Sequence, residues 1–279
     1  MRVPARLSRM VSLPLLLLVL LTGAALAGEK STTYYTLHYE SWSSVADALT
    51  PYLDAAFTTS KNVLGYDNSG YGKIDIYFYS DPGSATLGYT NAGQNSFYLN
   101  LIYGSSLRES YLSDYGQTIA HETAHVFFFH LTKLNEKYAW SSDGASTYTW
   151  LTEALSYYVG GVAYPYGSQY SQATLASTLK YYSKNGSERV SWLDTGRDYK
   201  NGSASALELV QLETIGYFIS ETYTWSGIAT LLSNLSSSSN YEAAFKAVFG
   251  KESGQSSTSS GASVNTLYSD YINFYLGHY

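Results

Sequence analysis

The residues His121-Glu122-Thr123-Ala124-His125 form an HExxH box. On a helix turning about 100° per residue, His125 projects about 40° from His121, so both rings share one face. Two imidazoles so placed can grip one Zn²⁺, and the glutamate between them lies where it can take a proton from water. His130 falls about 180° from His121 and cannot join the pair. An ordinary helix with two buried histidines and a surface glutamate would read the same way. The surrounding segment, Tyr111 to Leu131, has no proline and a long apolar stretch, which predicts a buried helix embedded by Val126, Phe127 and Phe129. A metzincin extension is absent. Phe128 stands where glycine is needed and Leu131 where a third histidine is needed.

A catalytic zinc takes three protein ligands and a water, so a third ligand must come from elsewhere. Three acids follow the box. Glu136 lies among Lys133, Asn135 and Lys137 and reads as a solvated charge. Asp143 sits in Ser-Ser-Asp-Gly, a turn signature in which an aspartate supports its own backbone. Glu153 is carried by Trp150-Leu151-Thr152-Glu153-Ala154-Leu155-Ser156-Tyr157-Tyr158, which reads as an apolar helix ended by Gly160 and Gly161. A lone carboxylate there is costly unless it is paired or bound to a cation. Glu153 is therefore the candidate third ligand, the alternative being a buried, hydrogen-bonded glutamate.

These two motifs resemble the gluzincin metallopeptidases, whose second helix carries a W-L-x-E-[GA]-x-[AS]-x-Y pattern. The likeness is to the peptidase MA-like family, small relatives of thermolysin and of the aminopeptidase-N-like enzymes. Tyr71 to Tyr79 is similar to that family's early strand, and Phe245 to Gly250 with Leu267 to Leu276 to its closing segment. The resemblance implies zinc-dependent peptide hydrolysis, with His121, His125 and Glu153 as ligands and Glu122 as general base. It also implies a tyrosine or histidine that donates to the oxyanion, on a helix after the third ligand. Tyr217, in the helix expected over Ala206 to Thr222, has core-like neighbours, and Tyr199 is the other candidate. With 30 tyrosines in the chain, the sequence does not choose between them. No GxMEN box precedes HETAH, so the amino-end clamp of the aminopeptidases is missing, which favours endopeptidase action or a different exopeptidase geometry. Position 157 is tyrosine where thermolysin-like enzymes place an aspartate that orients the first histidine, which leaves the partner of His121 unassigned.

Arg2, Arg6 and Arg9, an apolar run from Val11 to Leu21, and Ala25-Leu26-Ala27 read as a secretory signal cleaved after Ala27. The protein is thus expected outside the cell, without stable membrane insertion. It has no cysteine, so it must be stable without disulfides. Removing residues 1–27 leaves 252 residues with 13 basic and 22 acidic side chains, a net charge of −9. That charge disfavours nucleic acid and anionic membranes as partners and leaves a peptide or protein substrate open.

Thr32 to Tyr39, Ile74 to Tyr79 and Ser96 to Ile102 read as strands, the last as an edge able to pair with extended substrate. Asp81 to Asn95 reads as loop. Val45, Leu49, Leu53 and Phe57 recur at helical spacing, with Pro51 a weak spot. From Ser113 onward the chain is mostly helical, with helices over Gln169–Tyr182, Ala206–Thr222 and Trp225–Leu235 and two near the end. The expectation is an α+β fold. A mostly antiparallel sheet lobe (about 28–110) and a larger helical lobe (about 111–279) form one domain with the HETAH helix between them. Three functions compete: an exported zinc endopeptidase, a catalytically silent relative binding extracellular peptide or glycan, and a structural protein with an incidental HETAH.

Overall fold

Strand residues alternate between a face turned to the helices and a face turned outward. The computed structural model describes residues 28–84, 86–102, 109–134, 146–164, 172–238, 240–255 and 265–276. The leader, Glu136 and Asp143 lie outside these residues. Tyr35, Leu37, Ile74, Ile76, Phe97 and Leu99 are buried against helices. They belong to β2 (Tyr35–Tyr39), β3 (Ile74–Tyr79) and β5 (Ser96–Asn100), which with β1 (Gly28–Ser31) and β4 (Gly88–Thr90) form a sheet of order β1-β2-β3-β5-β4.

The α+β class is as expected, but the pairing directions are not mostly antiparallel. β1–β2 and β4–β5 are antiparallel, whereas β2–β3 and β3–β5 are parallel. Parallel neighbours need a crossover, and α1 (Ser43–Leu64) supplies it between β2 and β3. The stretch Thr32 to Tyr39 is not one strand: Thr32 turns back to bond the Tyr35 carbonyl, and a hairpin partner lies before it. Gly88–Thr90 pairs inside a segment read as loop, which makes β4 the sheet edge in place of Ser96 to Ile102. Three residues, Gly88-Tyr89-Thr90, are too few to show alternation. One register row, Glu29–His38–Tyr77–Tyr98–Tyr89, crosses the whole outer face. Its rings stack at centroid separations of 4.6, 5.3 and 4.7 Å, which ties neighbouring strands together and uses part of the tyrosine excess.

The helices are α1, α2 (Glu109–Thr132), α3 (Ser146–Ala163), α4 (Gln172–Tyr182), α5 (Trp192–Lys200), α6 (Ala206–Ser237), α7 (Tyr241–Phe249) and α8 (Leu267–Leu276). α1 continues through Pro51 and buries Val45, Leu49, Leu53 and Phe57 as their spacing requires. α2 packs between α1 and α3, and α3 packs in turn on α5 and α6. The helix α5 was not read from the sequence. Its apolar content is small, and its order comes from Ser191, which accepts from the Asp194 amide, and from Trp192, whose ring packs at a tilt 4.6 Å from Trp150 of α3. The two helices expected over Ala206–Thr222 and Trp225–Leu235 are halves of α6, joined at Thr224 with φ 64° and ψ 171°. The Tyr158 hydroxyl of α3 accepts from Ser220 at 2.6 Å and Trp225 Nε1 at 3.0 Å, pinning both sides of that kink.

Gly216 sets how closely α6 approaches α3. A Cβ there would lie 2.2 Å from the Ala154 carbonyl oxygen and 2.7 Å from Tyr158 Cβ. Ala154 follows Glu153, so this crossing fixes the helix that carries the carboxylate. Gly216→Ala should therefore cost about 1–3 kcal/mol, read as a lower urea midpoint.

His130 is buried away from the cluster, as its angle required. Its Nδ1–H donates to Asn68 Oδ1 at 2.7 Å, and its ring stacks on Tyr71 at 3.7 Å. Burial pushes its pKa down to about 4. Above the ordinary value of 6.5 neither the folded nor the unfolded chain protonates it. Between 6.5 and about 4 the unfolded chain takes up the proton and the folded chain does not, so stability falls as pH falls across that window. Comparing urea midpoints of the native chain and His130→Gln from pH 7 to pH 4 should show the native advantage shrinking over this interval (about two to three pH units).

Candidate metal centre

α2 presents His121 and His125 toward α3 and Glu122 toward β4, and α3 presents Glu153 back to the histidines. The two imidazole Nε2 atoms lie 3.0 Å apart. Glu153 Oε2 is 3.3 Å from His121 Nε2 and 3.4 Å from His125 Nε2. Among the described residues, this is the group whose ligand atoms cluster as a metal site requires. Ligands held about 2.0–2.1 Å from a tetrahedral ion lie about 3.3–3.4 Å from one another. The triangle therefore fits a single ion of that size without rearrangement.

The electrostatics agree with the geometry. Burial opposes ionisation of Glu153, but the facing imidazoles of His125 and His121 outweigh it and hold the carboxyl well below its usual range. Burial likewise disfavours a protonated His125, and the Glu153 carboxylate reverses this and raises its pKa. Glu153 Oε2 is buried without a well-aligned hydrogen-bond donor. Three converging lone-pair atoms, one of them an unsatisfied carboxylate oxygen, call for positive charge at their centre.

Neighbours fix the ligands. His125 Nδ1 is 2.9 Å from Thr152 Oγ1. Donation from Nδ1–H to that oxygen leaves the Nε2 lone pair facing the centre. The His121 ring meets Tyr157 edge to face at 4.6 Å. An aromatic ring thus stands where the partner of His121 was left unassigned. Glu122 is 5% exposed, and its Oε2 accepts from the Thr90 hydroxyl of β4 at 2.7 Å.

The two tyrosine candidates separate. Tyr199, at the end of α5, lines the same cleft as His121, Glu122, His125 and Glu153. Burial first, and the Glu153 charge second, push its phenol well above the ordinary range, so it stays an O–H donor. Its oxygen is 3.4 Å from the Tyr157 hydroxyl. Tyr217 packs edge-on against Tyr158, away from the cavities around the cluster.

The cleft has a central cavity of about 520 Å³ over the three ligand residues. One adjoining cavity of about 500 Å³ runs past Gln117, Gly160 and Gly161, and another of about 430 Å³ past Asn91, Ala92 and Tyr148. Residues 86–92, which include β4, line the groove from one arm to the other. β4 bonds β5 along one side, and its other side borders the groove. Thr90, Thr152 and Tyr157 are parts of the site that the sequence reading did not assign. Thr152 could have been found, because it immediately precedes the candidate ligand. The Thr90 contact joins positions 32 apart and leaves no sequence signal.

No protein-family model matches the chain, and neither a curated protein nor a solved structure matches it. The cluster therefore stands on its own geometry.

Equilibrium dialysis against Zn²⁺ followed by metal analysis should give one bound ion per chain, and the ion should raise the thermal midpoint. Glu153→Ala should weaken binding about tenfold or more, since it removes one of three ligands. Unchanged zinc content would remove Glu153 from the ligand set.

Proposed function

We propose that this protein is an exported zinc metallopeptidase that cleaves within extended peptide chains, with His121, His125 and Glu153 holding the metal and Glu122 as general base. The observation that carries this reading is the convergence of two imidazoles and a buried carboxylate within 3.0–3.4 Å, beside a glutamate, in a groove that continues to both sides. The gluzincin resemblance of HETAH and of Trp150 to Tyr158 points the same way. When bound, zinc supplies Lewis acidity, lowering the pKa of a water to about 7 and polarising a carbonyl.

The remaining chemistry belongs to side chains. Glu122 accepts a proton from water and returns it to the departing amine. Tyr199, kept protonated by its surroundings, donates its O–H to the oxyanion as charge develops. This assigns to Tyr199 the role that the sequence divided between it and Tyr217. β4 offers its free edge to an extended chain, whose backbone pairs with it as one more strand. Two open arms accommodate chain on either side of the scissile bond, which favours internal cleavage. The leader over residues 1–27 directs export, and no helix among the described residues is long and apolar enough to cross a membrane.

Labelled casein should be hydrolysed by the zinc-loaded chain and spared after chelation. Glu122→Gln should retain the metal and lose about a hundredfold to ten-thousandfold in turnover, the usual worth of a general base. A native chain that binds zinc yet cleaves nothing would instead favour the silent binding protein.

A further inference from the structure

We propose that Thr90 is a positioning residue for Glu122: the edge strand β4 anchors one carboxylate oxygen so that the other is held ready for water. The inference rests on the peptidase reading above. Thr90 Oγ1 donates to Glu122 Oε2 at 2.7 Å, and it lies a longer 3.3 Å from the Glu122 backbone oxygen. Gly88 faces the same side chain, and its lack of a Cβ leaves room beside the other carboxylate oxygen. A Cβ at that position would stand 3.1 Å from Glu122 Cγ and 3.2 Å from Oε1, so a larger residue there would crowd the carboxylate. The two inward positions of β4 thus both face Glu122.

The strand is itself held firmly. Gly88 and Thr90 pair with Leu99 and Phe97 of β5, both fully buried. Between them Tyr89 turns outward and stacks on Tyr98 at 4.7 Å. An untethered glutamate would sample several rotamers, and each departure from reacting geometry lowers the rate. The hydroxyl selects one rotamer. Its hydrogen bonds are to Glu122 and to none of the three candidate ligand residues, so its effect passes through Glu122. Substrate pairing occurs on the same three-residue strand, and chain binding and base alignment therefore share one element.

The test uses the zinc-loaded chain with labelled casein as probe. Thr90→Val preserves branching and strand propensity and removes the hydroxyl. It should lower kcat about tenfold to a hundredfold, with KM within about twofold and zinc content unchanged. Thr90→Ser restores the hydroxyl and should recover to within about threefold of the native kcat. A second readout needs no activity. In metal-free protein, the loss of thermal midpoint from Thr90→Val should be clearly smaller in a Glu122→Ala background, because the side-chain bond is then already gone and only the longer contact to the backbone oxygen remains. Native turnover in Thr90→Val, a Thr90→Ser variant as slow as Thr90→Val, or additive midpoint losses would each overturn the assignment. A native chain without chelator-sensitive cleavage, but with coupled midpoints, would overturn it through the peptidase reading and not through the bond.

Discussion

A carboxylate oxygen enclosed between two imidazoles, without a donor aimed at it, is the interaction on which the rest of this structure depends. Glu153 stays ionised inside an apolar helix pair because the histidines face it, and the histidines are kept in place by the fold behind them. α2 is buried along most of its length and cannot rotate without exposing Phe127 and Phe128. α3 is fixed by the glycine crossing with α6 and by the Trp150–Trp192 contact with α5. Both helices could pack in many registers if they were uniformly apolar. The polar triangle favours the register in which three basic atoms meet.

Around this centre the fold divides its tasks. The helices supply the charged groups, and the sheet supplies a border. α5 begins at a buried tryptophan and ends at Tyr199 in the cleft, so a short helix of low apolar content carries a phenol to the centre by being anchored at its far end. β4 is ordered by β5 on one side and bonds α2 through Thr90, while Gly88 leaves room for the Glu122 side chain. Glu122, the His121–His125–Glu153 cluster and β4 are thereby linked through side-chain contacts, with no covalent staple in a chain that lacks cysteine.

The residues of the centre were legible in the sequence for physical reasons. Histidines four apart on an unbroken apolar helix leave few other arrangements, and a solitary glutamate in a second apolar helix requires a partner. The helical half was legible as well, down to the break near Thr224, because periodic apolar residues stop and restart there. What could not be read was decided by tertiary contact. The three residues of β4 have too little pattern to announce a strand. α5 owes its order to Trp192 and a cap. The preference for Tyr199 over Tyr217 follows from where each helix ends up, which local sequence does not encode. Parallel pairing of β2 with β3 likewise depends on α1 returning the chain to the same end of the sheet, and that of β3 with β5 on the segment through β4 doing the same.

The brevity of β4 also bears on how the molecule behaves among its neighbours. A long bare strand at a sheet margin is a template on which other chains stack and aggregate. Here the margin is three residues long and its inward positions lie against a helix, so it offers too little ladder for a second sheet to grow from it. The brevity of this margin limits the backbone left open to strand pairing between molecules, on a sheet whose outer face is lined with tyrosine.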